Sequence, residues 1–183
     1  GIGALRNISR KLDFDKVTTR WVPSKEMTLT AENFVETREG GKMECIDNRI
    51  YLYGGHNHSP IDGLSCYNVK TQAFSNLALN TDYQIPYRMH HSMVANKNYL
   101  LCFGGETLLP RELFSSRMVS NQLLTIDIDT MNINLQHFHP KQVAPRKNHV
   151  AVMLGVYMLV HGGLDCDGEY LSDFRLYNTS RMC

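Results

Sequence analysis

Several features that would assign this 183-residue sequence to a familiar functional class are missing from it. No apolar run approaches the roughly eighteen residues that a membrane-crossing helix needs. The formal net charge is only +1, so there is no general attraction for nucleic acid or acidic membranes. Phosphate-binding glycine loops, H-E-x-x-H and G-x-S-x-G are also lacking. We therefore expect no cofactor, no nucleic-acid partner and no membrane partner, and the sequence favours a non-enzymatic protein.

The cysteine content excludes a second group of architectures. There are five cysteines, an odd number, and no C-x-x-C pair, so neither a disulfide framework nor a zinc ribbon is indicated. We expect reduced thiols and a cytoplasmic protein. Hydrophobic residues make up 43% of the chain, which is typical of a globular domain.

What the sequence does contain is a repeat. A short apolar strand closed by two glycines occurs three times, about fifty residues apart. Such periodicity indicates a repeat architecture, and glycine at a strand end permits a positive φ and a close chain approach. The three doublets are Gly54-Gly55, Gly104-Gly105 and Gly162-Gly163.

Other positions keep the same register. An arginine stands sixteen residues before each first glycine, and three residues after the arginine comes a glycine or a histidine. These residues are Arg38 with Gly41, Arg88 with His91, and Arg146 with His149. After each doublet an Asp or Asn starts a predicted turn, and a large apolar residue follows six positions later. This second signature comprises Asp15 with Trp21, Asn68 with Phe74, Asp127 with Ile133, and Asn178.

Together these residues resemble the kelch repeat. The resemblance implies an all-β fold, a kelch-type β-propeller with an incomplete set of four-stranded antiparallel blades. It places the end of a blade at residues 1–22, blades at 38–78 and 88–138, and an incomplete blade at 146–183, all within one domain of residues 1–183. The second blade carries a long insert, Glu106–Asn121, in which Leu113–Met118 could form a helical turn. Strand three of the last blade is expected at Leu171–Tyr177.

The repeat phase predicts truncation at both ends, so the remaining blades of the same propeller are expected as partners. Propellers typically have about four to eight blades. The piece should therefore expose open sheet faces and edges and be poorly soluble by itself.

Two loops carry groups that could bind a metal. His56 and His58, near Asp62, form an H-x-H loop, and Asp165 and Asp167 lie in D-C-D-G-E. The alternative is a solvated polar loop in each case, because neither has the full ligand spacing of a zinc or calcium site. We predict no metal at either.

The regular arginines have two interpretations. They could ring one channel mouth and bind an acidic ligand, or each could bond a carboxylate or carbonyl and join adjacent blades. The structural role of the arginines is the favoured one. His91 and His149 are also assigned a structural role, because the equivalent position in the first repeat is Gly41 and a position that accepts glycine is not expected to be a ligand.

The function that the sequence favours is protein–protein interaction through the loop rims. The residues proposed to contact a partner are Arg111, Leu113, Phe114, Arg117, His56, His58, Asp165 and Asp167. Resemblance to kelch proteins implies a scaffold, an actin-binding module or a ubiquitin ligase adaptor. Two alternatives remain: a channel-mouth enzyme such as a copper radical oxidase-like domain, and a purely structural segment of a larger assembly.

Overall fold

The computed structural model describes residues 10–11, 22–23, 35–61, 63–82, 85–108 and 118–180. Within these ranges all regular structure is β-strand. The first two strands, β1 (Arg10–Lys11) and β2 (Val22–Pro23), pair antiparallel. The predicted repeat residues Asp15 and Trp21 lie outside the described residues. No described helix has the length and apolarity of a membrane-crossing segment.

The first blade is a four-stranded antiparallel sheet with the order β3-β4-β7-β8. A two-stranded ribbon, β5 with β6, is inserted between its second and third strands. The strands are β3 (Lys42–Ile46), β4 (Arg49–Tyr53), β5 (His56–Asn57), β6 (Ser59–Pro60), β7 (Leu64–Asn68) and β8 (Ala73–Leu77). Asp47, at φ 54, makes the tight turn between β3 and β4, a geometry that Asp tolerates better than most residues.

The second blade repeats this arrangement in the order β10-β11-β14-β15. Beside it lies a three-stranded sheet in the order β13-β12-β9, which joins the insert to the segment that precedes the blade. The strands are β9 (Tyr87–Met89), β10 (Ser92–Asn96), β11 (Tyr99–Phe103), β12 (Glu106–Leu108), β13 (Met118–Val119), β14 (Leu123–Asp127) and β15 (Ile133–Gln136).

The third blade has three strands among the described residues, in the order β16-β17-β18. They are β16 (Val150–Leu154), β17 (Tyr157–His161) and β18 (Phe174–Asn178). Strand three was predicted at Leu171–Tyr177, which is wrong at its start. The strand starts at Phe174, three residues later than predicted, because the preceding residue Asp173 bonds the guanidinium of Arg146.

The core lies between the blades, because each sheet packs one face on its neighbour. Between the first and second blades it includes the buried side chains of Tyr51, Leu100 and Ile126. Between the second and third it includes Phe103 and Met158. The innermost strands β3, β10 and β16 contact one another in that order. This is the blade stacking of a β-propeller, and the predicted all-β fold is confirmed for the described residues.

Each described Asp or Asn of the repeat forms the turn that follows strand three. The side-chain oxygen of Asn68 accepts from the Lys70 N–H at 2.9 Å, and that of Asp127 accepts from the Asp129 N–H at 3.0 Å. Asn178 accepts from the Ser180 N–H at 2.9 Å. A side chain that bonds the backbone two residues on is the defining contact of this turn. Behind the first of these turns, Phe74 packs on Tyr67 with ring centroids 4.8 Å apart.

Candidate functional site

The end of the blades where the glycine doublets lie carries the most regular set of polar contacts. In each repeat the arginine donates to the carbonyl of the first glycine of its own blade, sixteen residues away. Arg38 Nη1 lies 3.0 Å from Gly54 O, Arg146 Nη1 lies 3.1 Å from Gly162 O, and Arg88 Nη1 bonds Gly104 O. The side chains of Arg88 and Arg146 are fully buried, so their donors are directed at the protein itself.

The backbone of the same arginines joins adjacent blades. The N–H of Gly55 donates to Arg88 O at 2.8 Å, and that of Gly105 donates to Arg146 O at 2.8 Å. The doublet positions require glycine because their φ angles are positive and because the neighbouring chain occupies the space that a Cβ atom would need. A Cβ on Gly104 (φ +65) would lie 2.6 Å from Arg146 O. Arginine and doublet therefore form one connection that runs from blade to blade.

His149 adds a side-chain contact across the same interface. Its Nε2 lies 2.9 Å from Ser92 Oγ of the second blade, and its ring meets Phe103 edge-on at 5.4 Å. Burial, together with the charge of Arg146, lowers the pKa of His149 to about 4. No described carboxylate bonds its Nδ1, so the pair lacks the third group that orients a catalytic Ser–His couple.

His91 occupies the equivalent position at the first interface. It meets Tyr53 edge-on at 5.7 Å and is completely buried. Neither ring nitrogen has a hydrogen-bond partner among the described residues, because Lys42 stands where the second blade has Ser92. Burial, together with the charge of Arg88, lowers the pKa of His91 well below 6.5. The imidazole of His91 is therefore uncharged at neutral pH, and it packs between the first and second blades.

Arg146 is further fixed by a two-point ion pair. Its Nη1 and Nη2 lie 2.8 and 3.0 Å from the two carboxylate oxygens of Asp173. Hydrogen bonds from Arg146, opposed by burial and assisted by Arg175, hold the pKa of Asp173 well below its usual range. In the second blade Gln122 takes this role, since its carbonyl accepts from Arg88 at 3.2 Å.

Sequence reasoning missed a further repeat position, two residues after each arginine. Gly40, His90 and Asn148 all have positive φ, at 68, 56 and 55. The N–H of His90 donates to Gly40 O at 2.8 Å, and the N–H of Asn148 donates to His90 O at 2.9 Å. These bonds run across the blades near the axis. The available signal was that Asn and Gly, and to a lesser degree His, tolerate left-handed geometry.

Next to this series, Glu106 links the second blade to the third. One carboxylate oxygen lies 2.5 Å from Lys147 Nζ, and the other lies 3.3 Å from His90 Nδ1. Burial alone would raise the pKa of Glu106, but its contacts with Lys147 and His90 outweigh burial and lower it. Nothing in the repeat pattern singles out Glu106 or Lys147, which are 41 residues apart.

The H-x-H loop is the ribbon β5–β6, with His58 at its turn at φ 58. The backbones of His56 and Glu39 exchange two hydrogen bonds of 2.9 and 3.0 Å, and His56 Nδ1 lies 3.3 Å from Glu39 Oε1. Asp62 lies outside the described residues. The described part of the chain contains no group of three His, Cys, Asp or Glu residues placed to hold a metal.

Asp165 and Asp167 belong to a turn in which the Asp165 carboxylate accepts backbone hydrogen bonds. Asp165 Oδ1 accepts from the N–H groups of Asp167 and Glu169, each at 2.9 Å. The carboxylate therefore caps its own loop in the manner of the turn residues above.

The insert of the second blade is only partly a loop, which corrects the expectation for Glu106–Asn121. Its first residues form β12, which pairs with β9 through Thr107 and Arg88. Met118, predicted to end a helical turn, is in β13 and pairs with Thr107. Both described ends of the insert are therefore strands of the three-stranded sheet β13-β12-β9, in which their backbones pair with neighbouring strands. Arg111, Leu113, Phe114 and Arg117 lie outside the described residues.

The most strongly polar side chains at this end of the blades, Arg88 and Arg146, bond groups within the protein. Buried guanidinium groups and neutral imidazoles form a rigid frame at this end of the blades, and the described loops are attached to it by their own hydrogen bonds. Such a division between rigid frame and variable loop is typical of recognition surfaces.

Comparison with known proteins identifies the repeat. The sequence model of the KLHDC2/KLHL20/DRC7 Kelch-repeats domain matches residues 12–183. The chain is 28% identical over 127 residues to the human (Homo sapiens) Rab9 effector protein with kelch motifs, covering 69% of this chain and 33% of that protein.

A second similar protein is a plant one. Acyl-CoA-binding domain-containing protein 4 of Arabidopsis thaliana is 24% identical over 147 residues, covering 75% of this chain and 21% of that protein. The chain thus spans a third or less of the length of these two relatives. The match of the domain over nearly the whole sequence shows that the chain belongs to the kelch-repeat family.

Proposed function

We propose that this chain recognises a partner protein through the rim at the glycine-doublet end of the blades, with residues 109–117 at the centre of the contact. Kelch-repeat domains generally act as non-enzymatic interaction scaffolds, and family membership supports a protein partner. The human relative is named as a Rab9 effector, which describes binding to another protein.

The observation that carries the proposal is the anchoring of the insert. The strand β12 pairs on one side with β9, which holds Arg88, and on the other with β13. The segment between β12 and β13 therefore leaves and re-enters the fold beside the axis, where the doublets and the Glu106–Lys147 ion pair lie. Arg and Phe are residue types enriched at interface hot spots, and this segment contains Arg111, Phe114 and Arg117.

The test is a pull-down from cell lysate with mass-spectrometry readout. Wild-type chain is compared with the triple variant Arg111→Glu, Phe114→Ala and Arg117→Glu. The matched control reverses two exposed cations at the opposite ends of the strands, Lys70→Glu and Arg49→Glu. Specific partners should be retained by the control and lost by the triple variant. Partners retained by both would overturn the assignment of the insert, and the absence of any specific partner would overturn the interaction function.

A further inference from the structure

The ion pair between Glu106 and Lys147 joins two segments of the rim that belong to different blades. Glu106 is the first residue of β12, which pairs with β9 on one side and with β13 on the other. We name β12 and β13 the insert root, because residues 109–117 lie between them in sequence. Glu106 is only 7% exposed, and a carboxylate is seldom buried to that degree unless it is paired. The sheet that carries the insert root therefore contains a charge that needs its partner from the third blade.

Lys147 contacts a rim loop of the third blade through its backbone. The N–H of Lys147 donates to Leu164 O, and the N–H of Leu164 donates to Lys147 O, each at 2.9 Å. Leu164 also forms an antiparallel bridge with Tyr170, and we name residues 164–170 the third-blade loop. Because Lys147 Nζ lies 2.5 Å from Glu106 Oε1, this one residue contacts both the insert root and the third-blade loop.

His90 holds the same carboxylate from its other oxygen. His90 Nδ1 lies 3.3 Å from Glu106 Oε2, and the carbonyl of His90 accepts from the N–H of Asn148 at 2.9 Å. Asn148 follows Lys147 in the chain, so Glu106, His90, Asn148 and Lys147 form a closed ring of contacts. A buried polar network whose members bond one another makes the segments that carry it rigid.

We propose that Glu106 and Lys147 are positioning residues that couple the insert root to the third-blade loop, so that both rim segments form one joint surface for a partner protein. This role rests on the proposed function, whereas the coupling itself can be measured in the chain alone. Removing the ammonium of Lys147 takes the charge partner from a nearly buried carboxylate, which is strongly unfavourable. Opening of the insert root toward water relieves that cost. Because coupling between two sites is reciprocal, a change at Glu106 should also loosen the third-blade loop.

The experiment is amide hydrogen exchange of the 183-residue chain, resolved to short peptides by mass spectrometry. Lys147→Met keeps most of the side-chain stem and removes the charge, so exchange in the insert root should become at least about fivefold faster. Glu106→Gln should accelerate exchange at Leu164, in the other blade. Lys147→Arg keeps the charge and should exchange as wild type does, and so should Lys70→Met, on a turn away from the rim. The β10–β11 ladder should exchange equally in all variants, because local opening leaves the blade folded.

Wild-type exchange in the insert root of Lys147→Met would overturn the coupling. Acceleration by Lys147→Arg as large as that by Lys147→Met would also overturn it, because packing and not charge would then be responsible. Faster exchange of the β10–β11 ladder would show that the whole blade is destabilised, which is equally against a positioning role.

The partner arm compares Lys147→Met with the triple variant in the lysate pull-down. Recovery of the partners that the triple variant loses should fall at least about fivefold with Lys147→Met. Full recovery with Lys147→Met, together with loss in the triple variant, would overturn the positioning role and leave the proposed function intact. Retention of all partners by the triple variant would overturn the proposed function, and the joint surface with it, whatever the exchange rates show.

Discussion

Ser92 Oγ and His149 Nε2 lie 2.9 Å apart across the interface between the second and third blades. Both residues are buried, so each satisfies a polar atom that would otherwise have been removed from water without a partner. This contact links two residues that are 57 positions apart in sequence, one from each blade.

Replacing Ser92 with Ala should therefore destabilise the fold. The imidazole Nε2 would remain buried without a bond, at a cost of about 1–3 kcal/mol in the free energy of unfolding. Urea denaturation measures this change. Ser75→Ala, at an exposed position on β8, should change stability by no more than about 0.5 kcal/mol. Equal effects of the two substitutions would show that the hydrogen bond contributes nothing.

Acid should weaken the fold in a window set by the buried histidines. The pKa of His149 is lowered from 6.5 to about 4 and that of His91 is lowered well below 6.5. As the pH falls through 6.5 the unfolded chain takes up protons that the folded chain does not, so stability is lost from about pH 6.5 down to the folded pKa. Each such proton contributes about 1.4 kcal/mol per pH unit.

The measurement is the unfolding free energy at several pH values between 7 and 5. His149→Gln keeps a polar group near Ser92 and cannot titrate, so it should flatten the slope. Ser75→Ala, at an exposed position without a titratable group, should leave the slope as in wild type. Asp173 contributes in a separate window, because its lowered pKa means its stabilisation is lost only as the pH falls below about 3.9. A wild-type slope of zero between pH 6.5 and 5 would refute the assignment.

Two glycine substitutions can separate the cost of backbone strain at positive φ from the cost of a steric clash with the neighbouring blade. Gly104 and Gly168 both have positive φ, at +65 and +84, but a Cβ would meet Arg146 O and His149 at Gly104 and nothing within 4 Å at Gly168. Gly168→Ala should cost about 1–2 kcal/mol from the left-handed backbone alone. Gly104→Ala should cost clearly more, measured as a larger fall in Tm, and a similar cost for both would mean that the blades can separate freely at the doublet.

The ion pair between Arg146 and Asp173 should contribute far more to the free energy of unfolding than the ion pair between Arg175 and Asp173. Arg146 is fully buried and Arg175 is 50% exposed. Asp173→Ala leaves a buried guanidinium without its carboxylate and should cost about 2–3 kcal/mol, less than a fully buried pair because Asp173 is partly exposed. Arg175→Ala should stay within about 0.5 kcal/mol. Chemical denaturation of both variants measures the two changes in unfolding free energy. A larger loss of stability for Arg175→Ala than for Asp173→Ala would contradict the prediction.

The blade architecture could be predicted because the residues that specify it are local and repeat in register. The doublet, the arginine sixteen residues earlier and the turn Asp or Asn each have a geometric requirement that few residue types meet.

What could not be predicted depends on contacts between blades. Gly40, His90 and Asn148 share only a tolerance for left-handed geometry, so their equivalence is invisible until their backbone bonds are known. Glu106 and Lys147 meet only after the second and third blades have docked. The side-chain surface of the partner site also remains a prediction, because Arg111, Leu113, Phe114 and Arg117 lie outside the described residues.

The pairing of Thr107 with Met118 has a consequence for how this protein could diversify. The chain departs from and returns to the sheet at adjacent points, so the segment between them can change in length or composition without displacing a strand of the blade. Doubling the length of such a segment costs only about 0.6 kcal/mol of closure entropy. A change in the length or composition of this segment should therefore leave the folding of the blades untouched, which makes it a suitable site for grafting a foreign peptide.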